Sequence, residues 1–257
     1  MKPTLLIPAL AVWGLCACAA DQPEPEPLEV VREAEATPGV DAAALEAAIA
    51  RIEQDTDTRM GLSLYDGSVH TTLGSVASLP AWSTVKIPIA FASEQHCEYD
   101  EDYLEQLITW SIEISDNDAT NELWACLNAA GGAEELVRDE IGSRVDVAWG
   151  RTAWPFASQA EYAYGLSQRS DVETNPVINH MRHIDEEQSW GLGALGMPFK
   201  GGWGDVEADG SWQSRQMAFG EINGVTYGIA AGALSEEGSF QATTDALDEL
   251  AEVLASF

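Results

Sequence analysis

Hydrophobic and polar positions change their spacing several times along the chain. Residues 42–52 place apolar side chains on one face, and Asp41 precedes them in the position of a helix N-cap. Apolar and polar residues then alternate over 59–65, and a second such segment follows at 69–73 after an Asp-Gly dipeptide. That dipeptide is typical of a hairpin turn. The pattern therefore predicts a helix followed by two antiparallel strands.

The middle of the chain has helical spacing and its last third returns to strands. Helices are predicted after Ser83 and at 103–113, 119–127 and 133–139; strands at 197–203, 213–222 and 225–234; and a closing amphipathic helix at 242–254. This order predicts an α/β chain of the α+β type. An antiparallel sheet would be flanked by the N- and C-terminal helices, with a helical lobe inserted at about 83–190.

The N-terminal segment has the pattern of an export signal. Lys2 precedes an apolar stretch over 5–15, and the Leu-Cys-Ala-Cys sequence that ends at Cys18 resembles a lipobox. The apolar stretch is too short for a stable membrane-spanning helix. We predict a lipoprotein signal peptide at 1–18, lipidation of Cys18, and export with anchoring to the bacterial cell membrane. Cleavage by an ordinary signal peptidase, without lipidation, is the alternative.

Residues 19–40 are rich in Pro and Glu and have little to bury, which indicates an extended tether before a domain at 41–257. Two of the four cysteines, Cys16 and Cys18, belong to the predicted signal. The other two, Cys97 and Cys126, would lie in an oxidising compartment, where a disulfide between them is expected. Two buried free thiols are the alternative.

The charged residues indicate which partners are disfavoured and where a site could lie. The formal net charge is −31, which disfavours binding to nucleic acid and to anionic lipid surfaces. Of the 12 basic residues nine are Arg and only three are Lys. Two of those lysines, Lys86 and Lys200, fall in the predicted mature chain, and each lies in a short motif.

The first motif is Ser83-Thr84-Val85-Lys86. Side chains three positions apart share a helix face, so the Lys86 amine, if neutral, could take the proton of the Ser83 hydroxyl. A helix start would also offer backbone N–H groups to a developing oxyanion. Alone, a Ser-x-x-Lys sequence is weak, because a surface helix pair with no function gives the same pattern.

Two further motifs follow at a distance. In Ser115-Asp116-Asn117 the hydroxyl could relay protons and the amide could hold a substrate amide, while a plain helix N-cap is the alternative. In Lys200-Gly201-Gly202, on a predicted strand, missing side chains would let a substrate backbone lie along the edge. A glycine-rich β-bulge is the alternative there.

Together the three motifs resemble the signature set of class A β-lactamases and penicillin-binding proteins. The resemblance covers roughly 41–257 and implies a β-lactamase-like fold with catalytic Ser83, Lys86 and Ser115. It also implies an oxyanion hole from the backbone N–H groups of Ser83 and Trp203, with Asn117, Lys200, Gly201, Gly202 and Trp203 binding substrate. Lys200 would attract a substrate carboxylate. Arg215, on the adjacent predicted strand, is a candidate second carboxylate contact, although an ordinary surface role is almost equally consistent.

Two departures from the family pattern weaken the expectation of rapid turnover. Gly201 stands where the family usually has Thr or Ser, and the stretch 142–159 contains no Glu to activate a deacylating water. Glu161 lies just beyond it, on a predicted helix face. We therefore predict a serine hydrolase with slow deacylation that acts on a β-lactam or a peptidoglycan stem peptide. The alternative is a non-catalytic peptidoglycan- or ligand-binding lipoprotein on the same fold.

No cofactor is predicted, and a monomer is expected. His180 and His183 could share a helix face, but no further ligand cluster accompanies them, so no metal site is predicted either.

Overall fold

The computed structural model describes residues 39–257. The predicted signal peptide with Cys18, and the tether up to residue 38, lie outside the described residues. Gly39 and Val40, which the sequence assigns to the tether, already pack on the domain. Gly39 N donates to Asn223 O at 3.1 Å, and Val40 N donates to the Tyr227 hydroxyl at 3.3 Å.

Helices and strands follow the predicted order. The helices are α1 Ala42–Thr56, α2 Lys86–His96, α3 Glu101–Glu113, α4 Asn117–Ala130, α5 Ala133–Ile141, α6 Phe156–Ser167, α7 Pro176–His180 and α8 Phe240–Ala255. The strands are β1 Arg59–Tyr65, β2 His70–Gly74, β3 Ser78–Pro80, β4 Ala153–Pro155, β5 Phe199–Val206, β6 Ser211–Ile222 and β7 Val225–Ser235. Short 3₁₀ turns lie at Trp82–Val85, Trp149–Arg151, Glu186–Gln188 and Gly191–Leu195.

A five-stranded antiparallel sheet with the order β2-β1-β7-β6-β5 forms the centre of the fold. The terminal helices α1 and α8 pack together, and α8 covers β6 and β7. Helix α6 packs against β1, β6 and β7, and α2 contacts α3, α4 and α5 in the helical lobe. The predicted fold class is therefore confirmed.

Local signals explain the elements that the sequence predicted well. The Asp41 carboxylate accepts hydrogen bonds from Ala43 N at 3.0 Å and Ala44 N at 3.1 Å, which makes it the N-cap of α1. The hairpin that joins β1 to β2 closes at the predicted Asp-Gly turn, and the one that joins β6 to β7 closes at Asn223-Gly224, a dipeptide typical of such turns. None of the helices in the described part of the chain is both long and apolar enough to span a membrane.

Other elements were missed because their patterns are weak. Strands β3 and β4 have three residues each and pair only with one another. Helix α6 was predicted only around Glu161, and its buried residues Phe156, Gln159, Ala160, Ala163 and Leu166 are a mixed set without a clear apolar stripe. The disulfide, in contrast, is confirmed: Cys97 follows the end of α2 and is bonded to Cys126 in α4.

Candidate active site

Ser83 lies in a tight 3₁₀ turn between β3 and α2. Thr84 fastens this turn, since its N–H and its hydroxyl both donate to Ala81 O, at 3.1 and 2.5 Å. Ala81 N in turn donates to Thr152 O at 2.7 Å. Trp82, directly before Ser83, has a φ of 48°, a left-handed conformation that is uncommon for a residue with a side chain. The turn leaves Ser83 half-buried at the edge of a cleft.

Strand β5 approaches this turn closely where it has glycines. A Cβ atom on Gly202 would lie 2.5 Å from Ser83 N and 2.8 Å from the Trp82 Cβ, and one on Gly204 would collide with the Trp82 ring. The missing side chain of Gly202 therefore makes room for the backbone of Ser83, rather than only for a substrate. The pairing of β5 with β6 runs without interruption from Phe199 to Val206, so the bulge alternative is wrong.

Lys86 is the first residue of α2 and is fully buried. Its amine lies 2.6 Å from Ser115 O, 2.8 Å from Asn117 Oδ1 and 3.3 Å from both Ser115 Oγ and Asp116 O. These partners belong to the second motif, which the fold thus brings to the first. In residues 39–257 the Lys86 amine makes these four contacts and no hydrogen bond to the Ser83 hydroxyl, so the proton transfer between Ser83 and Lys86 stays a prediction.

The second motif serves two purposes. The Asp116 carboxylate accepts a hydrogen bond from Ala119 N at 2.7 Å and caps α4, as the capping alternative expected. The residues on either side of Asp116, which are Ser115 and Asn117, both accept hydrogen bonds from the Lys86 amine. Ser115 has a φ of 57°. A left-handed residue at this position directs both its carbonyl and its hydroxyl to one amine.

Burial controls the charge of Lys86. Loss of hydration lowers the pKa of the Lys86 amine to about 7, and the nearby Asp116 charge opposes that shift only in part. The surrounding carbonyl oxygens favour the ammonium form, but they do not replace the lost water completely. Near neutral pH a substantial fraction of Lys86 is therefore uncharged, as a general base requires.

Lys200, on β5, contributes a second amine to the same place. It is fully buried, and its amine donates to Ser115 Oγ at 3.1 Å and to Gly201 O at 3.0 Å. Burial, followed by repulsion from Lys86, lowers the pKa of the Lys200 amine well below its usual value. The structure thus places Lys200 with Lys86 and Ser115, and its attraction of a substrate carboxylate stays a prediction.

Arg215 corrects a prediction. Its side chain is fully buried, and its guanidinium donates to Leu79 O at 2.6 Å and to Pro80 O and Trp154 O at 3.1 Å. A further bond reaches Gln159 Oε1 at 2.6 Å. Because Arg215 pairs with Gly202 across the strands, it leaves the sheet on the face that the Ser83 turn covers. It therefore supports that turn from below and is not a carboxylate contact.

The remaining predicted residues divide between the cleft and the back of the sheet. Asn117 lines the cleft and also contacts Lys86. Trp203 lines the cleft, yet its ring centroid lies 5.9 Å from that of Trp190 and 6.0 Å from that of Phe240. A Cβ on Gly201 would meet the Trp190 ring at 3.5 Å, so a side chain there would face the same aromatic group.

A cleft of about 510 Å³ opens beside Ser83. It is lined by Trp82, Ser83, Asn117, Asn121, Trp124, Val147, Ala148, Trp149, Gly150, Arg151, Trp203, Gly204 and Asp205. Sequence reasoning missed Asn121, Trp124, Trp149 and Arg151. Residues 147–151 contain no Glu, and a tryptophan or arginine in a short connection belongs to no motif that a sequence would reveal.

The connection between α5 and β4, residues 142–152, forms one wall of the cleft and contains no Glu. Glu161 lies on α6, where its carboxylate contacts His70 Nε2 at 2.8 Å. The histidines lie apart from the cleft. His180 has one ring nitrogen 2.8 Å from Glu113 and the other 2.9 Å from Glu105, and His183 contacts the backbone oxygen of Asn179.

Comparison with known proteins gives similarity in structure only. No protein-family model and no curated sequence matches this chain. The TLA-3 extended-spectrum β-lactamase superposes with a TM-score of 0.66 at 13% identity, over 84% of this chain and 98% of its own.

Two further structures agree. A representative class A β-lactamase from Bacteroides cellulosilyticus gives a TM-score of 0.62 at 12% identity, over 82% of this chain and 97% of its own. A variant of the class A β-lactamase of the last common ancestor of Gram-negative bacteria gives a TM-score of 0.62 at 17% identity, over 83% of this chain and 97% of its own. At such identities the comparison establishes the fold alone: this chain has a β-lactamase-like fold.

Proposed function

We propose that this protein is a serine hydrolase that forms an acyl-enzyme on Ser83 with a β-lactam or a cell-wall peptide amide. The observation that carries the proposal is the meeting of three motifs at one hydroxyl. Ser115 Oγ lies 3.3 Å from the Lys86 amine and 3.1 Å from the Lys200 amine, beside the turn that presents Ser83 to the cleft. A hydroxyl with two amines is a suitable path for protons in acyl transfer.

The proposed acylation proceeds as follows. Ser83 Oγ forms a bond to the carbonyl carbon while its proton passes to neutral Lys86, directly or through the Ser115 hydroxyl. The carbon–nitrogen bond of the amide then breaks, and the leaving nitrogen receives the proton of the Ser115 hydroxyl. Lys86 or Lys200 then donates a proton to Ser115. Backbone N–H groups of Ser83 and Trp203 are the proposed donors to the oxyanion.

Slow deacylation is part of the proposal. Hydrolysis of the acyl-enzyme needs a base that activates water, and the connection that forms the cleft wall supplies no Glu. The groups that remain as possible bases are the buried amines and the carboxylate of Asp205, which lines the cleft. An enzyme of this kind would resemble a penicillin-binding protein or a D,D-carboxypeptidase more than a fast β-lactamase.

Intact-mass spectrometry tests acylation. The wild-type protein is treated with benzylpenicillin or with a fluorophosphonate, beside a Ser83→Ala variant and a Ser256→Ala control at the exposed end of α8. We expect one adduct on the wild type and the control and none on Ser83→Ala. If no reagent labels the wild type, the non-catalytic binder becomes the better proposal. Where an adduct forms, nitrocefin turnover compared with D-alanyl-D-alanine release separates the two substrate classes.

We also propose that the protein is an exported lipoprotein attached to the membrane through Cys18. The Leu-Cys-Ala-Cys sequence after a short apolar stretch supports this location. Membrane fractionation of the wild type and of a Cys18→Ala variant tests it. Retention of the variant in the membrane fraction would contradict the anchor.

A further inference from the structure

We infer that Arg151 binds an anionic group of the substrate. The inference rests on the proposed function. Arg151 ends the 3₁₀ turn Trp149–Arg151 in the cleft wall. Its guanidinium carbon lies 4.4 Å from the centroid of the Trp82 ring, and Trp82 is the residue immediately before Ser83.

The other positive charges near the cleft are enclosed. Lys86, Lys200 and Arg215 are fully buried, and each donates to protein oxygens. Among the residues that line the cleft, only Arg151 carries a positive charge at its surface. A substrate carboxylate that entered the cleft would therefore meet Arg151 first.

Arg151 also differs from the other exposed arginines in its partners. Six arginines in residues 39–257 have a carboxylate oxygen within ion-pairing distance: Arg51, Arg59, Arg138, Arg144, Arg169 and Arg182. Arg151 is the exposed arginine of this part of the chain without such a partner. Its polar contact is a single hydrogen bond of 3.4 Å from its Nη1 to the backbone oxygen of Asp205.

An unpaired arginine is unexpected in a protein with 43 acidic and 12 basic residues, where carboxylates are abundant. The guanidinium lies over the Trp82 ring and makes one hydrogen bond, to Asp205 O, so that most of its N–H groups have no protein acceptor. The N–H edge of a guanidinium matches the two oxygens of a carboxylate. Asp205 also lines the cleft, but it meets Arg151 through its backbone oxygen, and no carboxylate of residues 39–257 forms an ion pair with this guanidinium.

The rest of the cleft indicates the other half of the ligand. Trp124, Trp149 and Trp203 add apolar aromatic surface to its walls, and Asn117 and Asn121 add amide groups. This combination suits a compact amide with an apolar or aromatic acyl side chain and one carboxylate. Benzylpenicillin has these features, and its methyl ester removes the negative charge while keeping the shape.

Binding without chemistry provides the test. All proteins are full-length and carry Ser83→Ala. Isothermal titration measures their affinities for benzylpenicillin and for its methyl ester, first with Arg151 intact, then with Arg151→Ala and with Arg144→Ala added. Arg144 is the matched control, since it belongs to the same connection but pairs with Asp146 and does not line the cleft. We expect Arg151→Ala to weaken benzylpenicillin about tenfold, as one charge-assisted pair should, and to leave the ester within about twofold.

Several results would overturn the inference. If Arg151→Ala weakens the binding of acid and ester equally, Arg151 only supports Trp82. The inference is also contradicted if Arg151→Ala leaves the affinity for benzylpenicillin unchanged or if Arg144→Ala weakens it as much. Absence of measurable binding of either compound would contradict it as well. Labelling of Ser83 by a neutral fluorophosphonate separates this from the proposed function. If Ser83 is labelled but acid and ester bind alike, the serine hydrolase proposal is supported and the role of Arg151 is rejected. If the acid binds more tightly than the ester but Ser83 is not labelled, the anion site is supported on a protein that does not form an acyl-enzyme.

Discussion

The amines of Lys86 and Lys200 meet at one atom, the hydroxyl oxygen of Ser115, which lies 3.3 Å from the first and 3.1 Å from the second. Both lysines are fully buried, and no carboxylate in the described residues forms an ion pair with either. Two ammonium groups in so small a space would repel each other without water to screen them. The pair therefore favours a state with at least one neutral amine.

The rate of Ser83 acylation should depend on pH through Lys86. Below about pH 7 the amine is protonated and cannot accept the serine proton, and above it the amine is neutral. We expect labelling by a neutral fluorophosphonate to rise about tenfold for each pH unit below 7 and to level off above it. Stopped labelling reactions from pH 5 to 9 measure the profile. A Lys86→Gln variant should lose the rising limb, and a flat wild-type profile would exclude Lys86 as the base.

Gly202→Ala should disable the site by displacing the Ser83 turn. The new Cβ would lie 2.5 Å from Ser83 N and 3.0 Å from Thr84 N, and backbone atoms in a fastened turn have little room to move. We expect at least a hundredfold slower labelling, about 3 kcal/mol in the barrier. Gly165→Ala is the matched control, because this exposed position in α6 has open space. Labelling of Gly202→Ala at the wild-type rate would show that the turn adapts.

Arg215→Met should destabilise the protein more than any loss of surface charge could. The substitution leaves the oxygens of Leu79, Pro80 and Trp154 without their buried donor. We expect a loss of roughly 3 kcal/mol in the free energy of unfolding, measured with urea. Arg182→Met, which removes a surface pair with Glu173, should change it by less than about 1 kcal/mol. Similar values for the two variants would contradict the supporting role of Arg215.

The disulfide between Cys97 and Cys126 should stabilise the helical lobe. It joins positions 29 residues apart and thus restricts the unfolded chain. Replacing both cysteines by alanine should lower the free energy of unfolding by about 3 kcal/mol. Urea unfolding of the wild type with and without a reductant gives an independent value. Reductant should not change the free energy of unfolding of the double variant. If it does, the effect of reductant on the wild type cannot be assigned to this disulfide.

The order of elements and the three motifs were available from the sequence because their causes are local. Asp41 caps α1 through its own side chain, and the Asp-Gly and Asn-Gly turns fix the hairpins that they interrupt. The predicted mature chain has only two lysines, and each lies in a short motif. Lys86 and Lys200 could therefore be predicted as site residues from the sequence.

The tertiary structure decided which of these groups meet and which face the cleft. Arg215 has the right residue type and strand for a substrate contact, yet the strand pairing places it under the Ser83 turn. Arg151 has no motif, and packing on Trp82 brings it to the cleft. The physical reason is that local sequence sets the conformation of each segment, whereas the exposure and charge of a side chain depend on what distant segments place around it.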